Sequence, residues 1–166
     1  SGVAPEHFQP PIALGPEFEA WRTRVPAGLS SPVIGDGRIF LTGIEGEQLV
    51  TLAFEHETGE LLWRCNAPVP ASEKVHSACS PAASTPLVYR EHIYVYFGSF
   101  GLLCYDLDGT EIWRKPIPTP QSLYGMSTSP IGNGDHVILV LDSDRNLTES
   151  KLSESAILAV NTSDGE

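Results

Sequence analysis

A turn followed by a tryptophan returns along this chain at near-regular intervals. Glu57-Thr58-Gly59-Glu60-Leu61-Leu62-Trp63 is matched by Leu107-Asp108-Gly109-Thr110-Glu111-Ile112-Trp113, and Thr162-Ser163-Asp164-Gly165-Glu166 begins the turn again. Trp21, after Glu17-Phe18-Glu19-Ala20, stands where the tail of an earlier copy would put it. A second landmark falls between the turns: Ser31-Pro32-Val33, Thr85-Pro86-Leu87 and Ser129-Pro130-Ile131. Each leads through a short polar turn into a β-rich run, at residues 38–42, 92–97 and 136–141, and then into another apolar run. Two landmarks recurring in one order mark an internal repeat, and a repeat decides the fold before any motif does.

The tryptophans lie 42 and 50 residues apart, close to the length of a propeller blade of four short strands. Turn residues that tolerate positive φ, such as Asp108-Gly109 and Asn133-Gly134, punctuate runs rich in β-branched and aromatic side chains. The predicted fold class is therefore all-β, with propeller blades of four antiparallel strands in an incomplete ring. The expected units are the last strand of one blade at 17–25, full blades at about 30–67 and 84–117, and three strands of another at about 128–162. In the middle unit the spacing predicts strands at 84–88, 92–98, 101–106 and 110–117. Its two central runs are apolar on both faces, as expected for a sheet stacked between sheets. With so few blades the ring is expected to need further sequence, and incomplete blades invite self-association between copies.

Lys and Arg number 10 against 21 Asp and Glu, a formal net charge of -11. That field repels phosphates, so nucleic acid is excluded as an expected partner. No apolar run reaches the roughly 18 residues of a spanning helix, so no transmembrane segment is expected. Cys65, Cys79 and Cys104 allow at most one internal pair; Cys65 with Cys79 is the candidate disulfide, and Cys104, in an apolar run, reads as a small core residue.

The repeat resembles the pyrroloquinoline-quinone-type, or quinoprotein-like, β-propeller family. Its pattern of a Pro-Val or Pro-Leu strand, a Gly-rich turn, a strand like Arg38-Ile39-Phe40-Leu41, and then Thr-Gly-Glu with Trp is followed closely by Thr58-Gly59-Glu60-Leu61-Leu62-Trp63. Asp108-Gly109-Thr110-Glu111-Ile112-Trp113 is a variant of it, and blade-like sequence runs over about residues 17–166. The resemblance implies that Trp21, Trp63 and Trp113 brace neighbouring blades. Quinone-dependent alcohol dehydrogenases of this kind use eight blades, a Trp stacking floor, an acidic catalytic residue, a calcium site and often a disulfide between adjacent cysteines. That constellation is not found here, so no cofactor and no catalytic residue are expected. Other members carry no cofactor, and likeness to them implies a periplasmic or extracellular location.

The remaining candidates lie in loops. Asp142, Asp144 and Asn146 alternate as at the start of a calcium loop, but Leu147 replaces the turn glycine and Ser153 the closing glutamate, so a polar blade insertion is expected instead. His76, three residues before Cys79, lacks the further His or Cys that would complete a metal site. These residues are candidates for a loop surface that meets a partner. The expected function is a non-catalytic scaffold or binding module for a protein or a carbohydrate; the alternative is a fragment of a quinone-dependent oxidoreductase propeller.

Overall fold

The β-rich runs pair with their neighbours in sequence, most of them through two- to five-residue turns that leave a strand no other partner within reach, while residues 142–155 separate the last two. The computed structural model describes residues 15–122, 124–143 and 155–166. The first sheet holds β1 (Val33–Gly35), β2 (Arg38–Glu45), β3 (Gln48–Glu55) and β4 (Leu61–Pro70). The second holds β5 (Leu87–Tyr89), β6 (His92–Phe97), β7 (Gly101–Asp106) and β8 (Glu111–Pro116), and the third β9 (Ile131–Asn133), β10 (His136–Leu141) and β11 (Ala156–Asn161). In every sheet the strand order is the chain order and the pairing is antiparallel. These are successive blades of an unclosed propeller, as the repeat predicted.

The second sheet lies between the other two. Alternate side chains of β6 go opposite ways: Ile93, Val95 and Phe97 pack with Phe40, Leu49 and Ala53 of the first sheet. Tyr94 and Tyr96 pack instead with Val137, Leu139 and Val160 of the third. Period-2 alternation thus places two cores on one strand, and each fully buried side chain contributes roughly 1.5–3 kcal/mol. Cys104 is buried in the second of these cores, the small core residue that its apolar run suggested.

The tryptophans join the blades by one recurring contact. Trp21 Nε1 donates to His56 O at 3.0 Å, Trp63 Nε1 to Leu107 O at 2.8 Å, and Trp113 Nε1 to Thr162 O at 2.9 Å. Each ring lies over the glycine that closes the same turn. A β-carbon at Gly59, Gly109 or Gly165 would fall 2.3, 2.8 or 2.8 Å from the ring above it. The three glycines also have φ of 71°, 86° and 76°, the left-handed region that disfavours side chains. The middle turn is one residue shorter, yet its acceptor carbonyl stays in place.

The Ser/Thr-Pro landmarks make a second set of bonds between blades. Ser31 N–H donates to Thr85 Oγ1 at 3.1 Å, and Thr85 N–H donates to Ser129 Oγ at 3.0 Å. One residue earlier, the Ser84 hydroxyl donates to Thr128 O at 2.7 Å. The proline fixes an extended approach to the innermost strand, and the hydroxyl before it receives the preceding blade.

Residues 17–25, expected as a fourth strand, form no strand. A 3₁₀ turn occupies Pro16–Phe18, and Trp21 and Thr23 are fastened to the His56–Gly59 turn, with Thr23 Oγ1 donating to Gly59 O at 2.7 Å. Among the described residues this segment pairs with no strand, and the Trp21 and Thr23 side chains fasten it to the next blade.

Candidate functional site

Strand alternation puts short turns on one face of the blades and long connections on the other. The turn face is acidic. Asp36, Glu57, Glu60, Glu91, Asp108 and Asp164 lie on it, while Arg38 and Arg90 are already paired with Asp108 and Asp135. The loop face carries fewer charges: among the described residues Glu45 is paired with Arg64, and Glu47, Glu73, Lys74 and Asp142 are the others.

Two long loops build the loop face, residues 71–86 between the first and second sheets and 117–130 between the second and third. A cavity of about 170 Å³ opens between them, lined by Leu29, Cys79, Ser80, Ala83 and residues 124–127. Tyr124 and Leu29 at its margin are 53% and 59% exposed, large apolar groups that the fold does not need to bury. Met126, 3% exposed, carries the cavity lining down into the core between the second and third sheets.

His76 belongs to this face. Its ring stands 5.3 Å from the Tyr124 ring, its Nδ1 accepts the Ala78 N–H at 3.1 Å, and its carbonyl accepts the Cys79 N–H at 2.8 Å. Asp142 lies at the end of β10, on the same face, where it accepts the Ser155 hydroxyl at 2.9 Å and borders a cavity with residues 117–121. Asp144 and Asn146 lie outside the described residues.

In the structure Cys65 and Cys79, the pair the sequence offered, are both free thiols. Cys65 lies on β4, which takes part in the blade interface, and its Sγ donates to Gly109 O at 3.2 Å, while Cys79 sits in the loop above. Burial, with Glu111 and Asp106 adding to it, pushes the Cys65 thiol up, and burial pushes Cys104 up to about 12.

Beneath the loops sits a residue that the sequence did not single out. Glu73 Oε1 accepts the Met126 N–H at 2.5 Å, and the backbone N–H groups of Ser72 and Glu73 both donate to Ser99 Oγ at 3.1 Å. Glu73 Oε2 is buried without a hydrogen-bond partner among the described residues, as is the Tyr96 hydroxyl. Burial raises the Glu73 carboxyl above its ordinary value, against the opposing Met126 bond. A lone Glu in a polar stretch carries no sequence signal for burial.

The described residues do not fit a quinone and calcium site. All three tryptophans are turned onto blade-interface turns, and no group of three His, Cys, Asp or Glu side chains could hold a metal. No helix among them is long and apolar enough to cross a membrane.

The sequence profile of the family described as outer membrane protein assembly factor BamB matches residues 18–140. The chain belongs to that family. Among solved structures it is similar to BamB from Moraxella catarrhalis, with 15% identity and a TM-score of 0.57, over 88% of this chain and 37% of that one. It is also similar to the quinohemoprotein alcohol dehydrogenase ADHIIG from Pseudomonas putida HK5, with 17% identity and a TM-score of 0.57, over 89% of this chain and 21% of that one. The computationally designed Ika4 protein matches at 9% identity and a TM-score of 0.56, over 89% of this chain and 75% of that one. At these identities the likeness is one of fold. No curated protein matches the chain. This BamB-family chain therefore spans well under half of the natural proteins it resembles.

Proposed function

We propose that this chain is part of a non-catalytic propeller scaffold that binds a protein partner through its loop face. The observation that carries the reading is Tyr124 and Leu29, large and exposed, flanking the cavity between the two loops. Aromatic anchors beside a pocket are the usual energetic centre of a protein interface. The exposed apolar groups beside the acidic turn face, Leu61, Leu62 and Ile112, lie along the outer strands β4 and β8. The family's description as an assembly factor supports a protein over a carbohydrate partner, and its outer-membrane setting supports a periplasmic location. A second contact is supported by the far face of the third sheet, where Ile131, Val140 and Ile157 are 59%, 45% and 75% exposed. Such a face suits another sheet, from a further blade or from another copy of the chain.

The test uses the full-length protein in its native cell, with a photo-crosslinking amino acid at Tyr124 and, as control, at Glu57 on the turn face. The reading expects a discrete crosslinked envelope protein from Tyr124 alone, weakened by Leu29→Lys. Equal crosslinking at both positions, or quinone-dependent alcohol oxidation by the purified full-length protein, would replace it with non-specific contact or with the oxidoreductase alternative.

A further inference from the structure

Glu73 ties together three segments of the loop face. Its own loop is held to the 98–100 turn through Ser99 Oγ, and its carboxylate holds the second loop through the Met126 N–H. Two glycines make the space. A β-carbon at Gly98 would lie 2.4 Å from Glu73 Oε2, and one at Gly125 would lie 3.2 Å from Oε1. The carboxylate thus sits among three backbone segments with one oxygen bonded and the other enclosed.

That enclosure is costly for a charge. A buried carboxylate oxygen without a donor loses its hydration and gains nothing in return. Nothing around it supplies a counter-charge. Tyr96 faces it from β6, Ser99 from the turn, and the Met126 amide from the second loop; Lys74, next in sequence, is exposed, and no ion pair with Glu73 occurs among the described residues. The other titratable groups of the two loops are His76 and Tyr124, whose rings meet at a tilt of 51°, and Cys79. The Tyr96 hydroxyl is itself pushed up, first by burial and then by the nearby Glu73 charge.

We propose that Glu73 is a protonation-sensitive latch on the loop face, closed when its carboxyl is neutral and loosened when it is charged. A neutral carboxyl keeps a carbonyl oxygen for the Met126 N–H and removes the enclosed charge. The sign follows from linkage. The closed state binds the proton more tightly than an open, hydrated one, so the latch is fully closed below the ordinary glutamate value of about 4.3. It loosens as pH rises through the raised value of the closed state. The proposal concerns the loops themselves and stands whatever docks on them.

The experiment is amide hydrogen exchange of the intact chain from pH 4 to pH 8, corrected for intrinsic rates, read at Met126 and, as a control for global opening, at Val95. In the native protein Met126 protection is expected to fall by about tenfold per pH unit within the window between the two values, while Val95 protection is unchanged. Glu73→Gln, which keeps the shape without the charge, is expected to hold Met126 protected at every pH. Gly98→Ala, which displaces the carboxyl, is expected to leave it unprotected at every pH. Equal pH dependence in the native protein and Glu73→Gln overturns the latch. So does a Glu73 carboxyl carbon resonance that titrates at or below the ordinary value, a readout of the native protein that does not depend on either variant folding.

Discussion

The ring of Trp63 lies over the α-carbon of Gly109 so closely that a β-carbon there would meet it at 2.8 Å, while its indole N–H donates to Leu107 O at 2.8 Å. One side chain of the first blade thereby reads the shape of a turn in the second. The same relation holds between Trp21 and Gly59 and between Trp113 and Gly165, so the blade-to-blade spacing is set by a repeated fit of aromatic ring to bare backbone.

Gly109→Ala should be more damaging than its size suggests. The residue must keep φ at 86° and also push the Trp63 ring away, and strain and overpacking each cost about 1–3 kcal/mol. Gly37→Ala is the control, since φ there is 68° but nothing stands within 4 Å. Urea unfolding should show a clearly lower midpoint for Gly109→Ala than for Gly37→Ala, with the slope unchanged in both. Equal losses would mean that conformation alone, and not the ring, accounts for the glycine.

Trp63→Ala should remove about 3 kcal/mol, as large aromatic truncations do. Trp63→Phe keeps a ring over Gly109 and removes one of the two donors to Leu107 O, which still accepts from Arg38 Nη1 at 2.5 Å, so the loss beyond the change in packing should stay within about 1 kcal/mol. A double-mutant cycle of Trp63→Ala with Gly109→Ala should be strongly non-additive, because the clash disappears with the ring. Additive losses would show that the two residues act separately.

Thr85→Val tests the bonds between the innermost strands. Valine has the shape of threonine but takes the acceptor from the Ser31 N–H, for an expected loss of about 1 kcal/mol, and Thr85→Ser should restore it. The Thr85 backbone bond to Ser129 is untouched by either change. Equilibrium unfolding of the three forms measures this, and identical midpoints for valine and serine would remove the hydroxyl from the account.

What the sequence displayed were the features that recur. Strand runs, the turn glycines and the tryptophans repeat, and repetition shows which positions have a shared task even before that task is known. The strands of the middle blade fall at 87–89, 92–97, 101–106 and 111–116, close to the expected spans. The Ser/Thr-Pro landmarks were visible too, but their hydroxyls pair across 44 or 54 residues, a distance that no local pattern encodes. Residues 17–25 resemble a strand in sequence but are held in space by the Trp21 and Thr23 side chains and not by a ladder. Glu73 occurs once, and its enclosure depends on Gly98 and Gly125 leaving room for it, so nothing local distinguished it from any other loop glutamate.

The cysteines give the last test, since three identical groups sit in three environments. Cys104 is buried between the second and third sheets with its thiol pushed up to about 12, so an alkylating reagent should reach it only through unfolding. Cys65 is half-buried, bonded to Gly109 O and pushed up by burial, and should react slowly. Cys79 lies in a loop at the cavity, with no blade packed over it, and should react first. Timed labelling of native protein with peptide mass spectrometry should therefore return the order Cys79, Cys65, Cys104, with the Gly109→Ala variant accelerating Cys65 more than Cys79 because it disturbs the turn that holds the thiol. A Cys65–Cys79 crosslink formed rapidly in mild oxidant would instead mean that the first loop folds down over β4, and the separation of the two thiols would have to be given up.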